Sequence, residues 1–269
     1  MKRAVLIAVS LLLAVTLGAA GLVGYRTFLR PPDNSPAEAC AKGPGARPRV
    51  VAAGASMTQG ALGADWVGAL RAALPAYEFV NAGVNGDTAA DLARRVGTDI
   101  VACRPAAVTL LVGTNDVRNA VPVEQYRDTL GEIVTRVRTA TGARVALMSL
   151  PPLGEDQDTE INRRLTRYNT AVKEVAEQTG ADYLPLHERL TDLLRQDGGP
   201  LTAYDFGFPL AFWVAAQHHL LGRGWDDIAH AGGRRILVDH VHLTDTGGAV
   251  VTDLTTRWLP EAVPLSARG

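Results

Sequence analysis

Lysine and arginine never gather into a run in this 269-residue sequence, and 27 basic against 28 acidic side chains leave a formal net charge of −1. So even a balance carries no electrostatic footprint for nucleic acid. No internal repeat is present, which sets aside solenoid and propeller architectures. Cysteine occurs only at Cys40 and Cys103, so the chain forms one internal disulfide at most. His218, His219, Asp226, Asp227 and His230 fall close together but match no compact metal-ligand spacing. Neither a metal nor an organic cofactor is expected.

Uncharged sequence is concentrated at the N-terminus. Lys2 and Arg3 precede a stretch from Ala4 to Tyr25 without a single charge. As a helix it would run roughly 33 Å, enough to cross a bilayer core. Secretory apolar regions span only about 7–15 residues, so residues 1–30 read as a retained membrane anchor rather than a cleaved signal. Leu17-Gly18-Ala19-Ala20 keeps signal cleavage as the alternative. Arg26 and Arg30, beyond the stretch, weaken the charge asymmetry that would orient it. Residues 31–48 carry five prolines and no apolar period, and read as a linker. A single folded domain is expected over residues 49–269.

Within that domain short apolar runs alternate with longer amphipathic ones. Strands are predicted at Val50–Ala53, Tyr77–Val80, Val108–Val112, Val145–Leu150 and Asp182–Leu186. Helices are predicted around Asp65–Leu74, from about Thr88, along the stripe Val123, Tyr126, Leu130, Ile133, Val134 and Val137, from Ile161 to Val175, and from Thr244 to Leu259. Gly142 and Gly180 stand where C-terminal caps belong. Such alternation predicts an α/β fold with a mainly parallel five-stranded sheet. Cys40 and Cys103 fall near the starts of neighbouring strands, so export would allow them to pair.

Ligands of such sheets bind beyond the carboxyl ends of the strands. Ser56, Gly83 and Asn115 follow the first, second and third predicted strands and so share one edge. Ser56, at a strand-to-helix turn, can expose its hydroxyl; a helix cap is its bland alternative. Gly83 is either a turn glycine or a backbone N–H that approaches a substrate oxygen unobstructed. Asn115 either makes a turn or donates its side-chain amide to a developing oxyanion. Asp239 and His242 stand three residues apart, so one turn can bring the carboxylate to one ring nitrogen and leave the other facing a serine. His240, adjacent to Asp239, is assigned a structural role.

The ordered blocks Gly54-Ala55-Ser56-Met57-Thr58-Gln59-Gly60, the glycine of Asn81-Ala82-Gly83, Gly113-Thr114-Asn115-Asp116 and Asp239…His242 resemble those of the SGNH/GDSL hydrolases over roughly Arg49 to Leu259. The resemblance implies a flavodoxin-like three-layer α/β/α sandwich. It implies Ser56 as nucleophile, His242 as base and Asp239 as its orienter, with Ser56, Gly83 and Asn115 as the oxyanion hole. Ala55 departs from the family's usual aspartate, a residue that helps to fix the turn. The expected protein is an extracytoplasmic esterase or lipase-like hydrolase, membrane-associated through its N-terminal helix, acting on a small-molecule, lipid or carbohydrate ester. An acyltransferase using the same site, or a tethered binding module without turnover, are the alternatives. Six of the fifteen aromatic residues lie between Tyr204 and Trp225. Phe206, Phe208, Phe212 and Trp213 among them are either a lid over the serine or ordinary helix packing.

Overall fold

The computed structural model describes residues 2–43 and 45–265. Five strands form one sheet: β1 (Arg49–Gly54), β2 (Glu78–Gly83), β3 (Ala107–Leu111), β4 (Arg144–Met148) and β5 (Asp182–Leu184). All pair in parallel in the order β2-β1-β3-β4-β5. Parallel strands need crossovers, and these are the helices that cover both faces. The result is the expected three-layer sandwich.

The helices, in chain order, are α1 (Lys2–Gly24), α2 (Pro36–Ala39), α3 (Ser56–Gln59), α4 (Trp66–Ala73), α5 (Ala89–Asp99), α6 (Thr114–Arg118), α7 (Val123–Thr141), α8 (Glu160–Thr179), α9 (Leu186–Asp197), α10 (Phe208–Leu221), α11 (Trp225–Ala231) and α12 (Asp245–Ala262). One layer is α5, α7 and α8; α4, α12 and α9 form the other. Val50, Val51, Ala52 and Ala53 are all buried, because a strand covered on both sides has no solvent face. Along α7 the predicted stripe is the buried one: Tyr126, Leu130, Ile133, Val134 and Val137. Gly142 ends that helix at φ +71°, a left-handed cap that glycine adopts without a Cβ clash. Thr88 and Asp91 start α5 with a reciprocal capping box.

The predicted linker behaves differently from a free spacer. Asn34 gives its side-chain amide to Phe79 O at 2.6 Å and accepts the Asn81 N–H at 3.1 Å. Beyond it, Cys40 is bonded to Cys103, as expected, with their Cα atoms 4.6 Å apart. The buried guanidinium of Arg49 donates to the carbonyls of Ala39, Gly43 and Cys103 and pairs with Glu78. Proline-rich composition signals the absence of a regular period; it does not reveal contacts made by backbone carbonyls.

β2 also runs three residues past its predicted end at Val80. The Asn81 side chain tolerates that buried position because it donates to Thr58 O at 2.8 Å and accepts from the Gly83 N–H. Gly83 is therefore the last residue of the strand and not part of the loop after it.

The disulfide joins cysteines 63 residues apart. Closing a loop of that length constrains the unfolded chain by about 4 kcal/mol on the chain-entropy account. Cys40→Ser is expected to lower the unfolding free energy by that order, and denaturant titration of the full chain in detergent measures it.

Candidate active site

In the order found here, β1 lies between β2 and β3, and the chain direction of the crossovers reverses beside it. That is the switch point, where neighbouring loops part and leave a crevice. Ser56 opens α3 immediately after β1. The turn is closed by backbone: Ala55 O accepts the N–H groups of Thr58 and Gln59 at 3.1 and 3.0 Å. Ala55, in the place of the family aspartate, is buried and leaves these bonds intact. Trp66 Nε1 donates to Met57 O at 2.8 Å and ties α4 to the same turn.

The opposite wall is a short loop between Leu237 and Leu243, which pair as an antiparallel bridge. His240 turns the loop at φ +71°, a conformation uncommon outside glycine. Asp239 Oδ1 accepts the N–H groups of Val241 and His242 at 3.1 and 2.9 Å, and Oδ2 lies 2.8 Å from His242 Nδ1. His242 Nε2 lies 2.8 Å from Ser56 Oγ. Carboxylate, imidazole and hydroxyl thus stand in one hydrogen-bonded row. Burial by itself raises the Asp239 pKa, but the adjacent His242 and the two backbone donors outweigh it and hold the carboxyl below its usual range. Asp239 is an anion ready to accept from Nδ1–H, which leaves Nε2 as the acceptor toward Ser56.

Two groups absent from the sequence reading support this loop. Glu155 is fully buried, and its Oε1 accepts the N–H groups of Arg235, Ile236 and Leu237 at 2.7, 2.8 and 3.3 Å. Arg234 Nε donates to Val238 O at 3.0 Å. Neither has a local sequence signature, since Glu155 meets its partners across some eighty residues.

Asn115 lies at the start of α6, just beyond β3. Its Nδ2 donates to Asp87 O at 2.9 Å, and its Oδ1 accepts from Arg118 Nη1 at 3.0 Å. Arginine has no acceptor, so it dictates which end of the amide is oxygen. One Nδ2 hydrogen is engaged and the other remains for the cleft. Arg118 is itself held by Tyr204 Oη at 2.9 Å and lies 4.3 Å above the Phe206 ring.

Gly83 is placed differently from the expectation. Its N–H donates to Asn81 Oδ1 at 3.0 Å and so does not face the cleft. A Cβ there would collide with the backbone of Thr58 and Gln59, so glycine is needed for the close packing of β2 on α3. The glycine on the cleft wall is Gly86, at φ +82°, three residues further along in the Asn85-Gly86 turn that follows the strand.

The cleft encloses about 110 Å³ between Ser56, Asn85, Gly86, Asn115, Arg118 and His242 on its polar side and Leu62, Phe206, Phe208 and Ala211 on its apolar side. Thr27 and Phe28 complete the lining from the N-terminal segment. That segment is fixed in place: Asn85 Nδ2 donates to Thr27 O at 3.1 Å, and Gln59 Nε2 donates to Arg30 O at 3.0 Å. Of the aromatic stretch, Phe206 and Phe208 reach the cleft. Phe212 packs toward the cluster under α10, and Trp213 is exposed. Two of the five metal-like residues have other partners. His218 stacks on Trp225 with ring centroids 3.9 Å apart, and Asp226 accepts the Thr246 N–H at 3.1 Å.

A doubly wound parallel sheet that presents a serine, a histidine and an aspartate in one hydrogen-bonded row at its switch point defines a serine hydrolase. The profile of the GDSL-like lipase/acylhydrolase family matches residues 51–250, and the chain belongs to that family. It is a serine enzyme acting on ester bonds. An acetylxylan esterase of Geobacillus stearothermophilus is 26% identical over 182 residues, covering 62% of this chain and 81% of that protein. Among solved structures, a catalytic mutant of Axe2, an acetylxylan esterase from the same organism, superposes with a TM-score of 0.58 at 20% identity, covering 84% of this chain and 99% of that one. The acetyl xylan esterase AlAXEase gives a TM-score of 0.58 at 18% identity, with 78% and 98% covered. These superpositions establish the fold.

Asp116, beside Asn115, is buried with its carboxylate 3.0 Å from the Ala89 N–H. Burial outweighs that bond and pushes its pKa up from 3.8 to about 6. A carboxyl whose pKa rises on folding favours the native state only while protonated. This contribution is complete below pH 3.8 and is lost as pH rises through about 6. Asp116→Asn keeps an acceptor for Ala89 but does not titrate. Between about pH 4 and pH 7 the wild type is expected to lose about 2 kcal/mol relative to this variant. Paired denaturant titrations across that range read the difference, and a constant difference would contradict the assignment.

Proposed function

We propose that the protein is an extracytoplasmic, membrane-anchored esterase that hydrolyses acetyl or similarly short acyl esters at Ser56. The observation that carries this reading is the unbroken Ser56–His242–Asp239 row inside a cleft of about 110 Å³. Pockets for drug-sized ligands run to roughly 300–1,000 Å³, so little room exists here for a long acyl chain. The acetylxylan esterase relatives agree with a short acyl group.

In this reading His242 Nε2 takes the Ser56 proton as Oγ attacks the ester carbonyl, and the Asp239 carboxylate stabilises the imidazolium that forms. The oxyanion is received by the Ser56 N–H, the second Nδ2 hydrogen of Asn115, and the Gly86 N–H in place of Gly83. Support for Gly86 is its position on the cleft wall and the absence of a hydrogen bond from its N–H among the described residues. His242 then protonates the departing alkoxide, and water enters by the same route to release the acyl group. Arg118 holds the Asn115 amide in register. One oxyanion donor is worth about 3–4 kcal/mol of barrier, so small rotations of that amide carry a large cost in rate.

The anchoring part rests on α1 and the helical turn after it, Lys2–Leu29, which is long and apolar enough to cross a membrane. None of the most apolar 18-residue window within it is buried against the domain. A disulfide in the folded domain is consistent with an oxidising compartment outside the cytoplasm.

A fluorophosphonate reagent followed by intact-mass analysis is expected to add one label to the wild type and none to Ser56→Ala. A folded wild type that stays unlabelled contradicts the serine assignment. In a series of 4-nitrophenyl esters, kcat/KM is expected to fall at least about tenfold from acetate to octanoate, a loss of roughly 1.4 kcal/mol. A rise with chain length would overturn the short-acyl reading.

A further inference from the structure

α10 departs from the usual pattern of a surface helix. Phe208-Pro-Leu-Ala-Phe-Trp-Val-Ala-Ala has no polar member, and polar residues enter only at Gln217, His218 and His219. A helix apolar on every side belongs either in a protein core or in lipid. Yet only one side of α10 is covered. Ala211, Val214 and Ala215 are buried in a cluster that also contains Val23, from the last turn of α1. Pro209, Trp213 and Leu220 follow at helical spacing on the opposite side, and Ala216 between them is half-buried against the edge of the cluster. There Trp213 is 60% exposed and Leu220 46%, and at the two ends of the helix Phe208 is 72% exposed and Leu221 68%.

The position of this uncovered face identifies its occupant. α10 packs directly against the end of α1, the one helix among the described residues able to span a bilayer. Tyr25 follows α1 at 52% exposure, and Arg26 and Arg30 come next. Tyrosine and tryptophan favour the headgroup level of a membrane, and arginine favours its aqueous side.

We propose that the outer face of α10 lies in the bilayer that holds α1, at the boundary between headgroups and acyl chains, so that the active-site cleft opens on the membrane surface. Two walls of the cleft come from this junction. Phe208, at the first turn of α10, and Thr27 and Phe28, directly after α1, line the same cavity as Ser56 and His242. The inference rests on the esterase and anchoring readings and adds the substrate's carrier: a short acyl ester borne by an amphiphile resident in the membrane. Phe208 joins the lipid-facing surface to the cleft and lies 5.9 Å, centroid to centroid, from Phe206, which faces His242.

The full chain in phosphatidylcholine/phosphatidylglycerol nanodiscs tests this. Trp66 and Trp225 are buried and Trp258 is half-buried, so the difference in emission between wild type and Trp213→Phe, rather than the total, isolates the residue at issue. Brominated lipids are expected to quench at least about half of that difference emission, and aqueous iodide is expected to leave it nearly unchanged. Free quenching by iodide overturns the proposal. So does shielding from both quenchers, which a second copy of the chain or another protein on this face would produce. Carbonate extraction of proteoliposomes reports α1 separately. A chain that extracts defeats the anchoring reading together with this inference, whereas a chain that stays inserted with Trp213 in water defeats the inference alone.

For function, Trp213→Asp/Leu220→Asp is expected to lose at least tenfold in rate on a hexadecyl-tailed fluorogenic acetate in the nanodisc. Its rate on soluble 4-nitrophenyl acetate should remain within twofold. Equal rates on both substrates relative to wild type contradict the proposal. Loss on both marks a misfolded variant, and the quenching result on the wild type then decides.

Discussion

A buried negative charge is the constraint around which the active-site loop is organised. Asp239 has no exposed surface, and an anion there is tolerable only if donors surround it. Two of them are backbone N–H groups of its own loop, at Val241 and His242, and the third is the imidazole of His242. Satisfying the carboxylate therefore fixes the loop conformation and the ring tautomer together. The left-handed backbone at His240 is part of the same solution, since the chain must reverse within three residues for both donors to face one oxygen. One layer further out, a single oxygen of Glu155 collects three backbone donors from the segment that leads into the loop.

Sheet topology provides the other half of the site. With β1 between β2 and β3, the loops after these strands meet at the switch point and bring Ser56, Gly86 and Asn115 around one cavity. The N-terminal segment then closes the remaining side. Its Thr27 and Phe28 are held by Asn85, and Arg30 by Gln59, so the transition from α1 to the domain forms part of the cleft wall instead of a free tether. The apolar N-terminal helix and the candidate active site share a boundary.

The legibility of these features in the sequence followed the range of the interactions behind them. Ser56, Asn115, Asp239 and His242 stand in compact local blocks, so they could be picked out as candidates before any fold was known, and the structure brings Ser56, His242 and Asp239 into one hydrogen-bonded row. The glycine on the cleft wall is Gly86, three residues beyond Gly83, the one singled out in the sequence. The two glycines differ in backbone conformation and in what Asn81 does with the first one's N–H, and neither property is written in composition. Arg118 and Glu155 carried no local signal at all, because an arginine on an amide and a carboxylate on distant N–H groups resemble surface charges until the chain is folded. The stretch from Tyr204 to Trp225 read equally as lid or packing. The structure divides it, with Phe206 and Phe208 on the cleft, Phe212 packed toward the cluster beneath α10 and Trp213 outside.

By itself the sequence determined the five-stranded α/β layout, the apolar N-terminal helix and the order of the chemical blocks, because each depends on periodicity or adjacency along the chain. Only the tertiary structure decided which glycine faces the cleft, which groups hold the Asp239 loop, and how the segment from Asn34 to Gly43 is tied to the sheet. It alone joined the first helix to α10 and to the serine. These are outcomes of burial: a polar group removed from water must find a partner, and the partner is whichever atom the fold brings within about 3 Å, however distant in sequence.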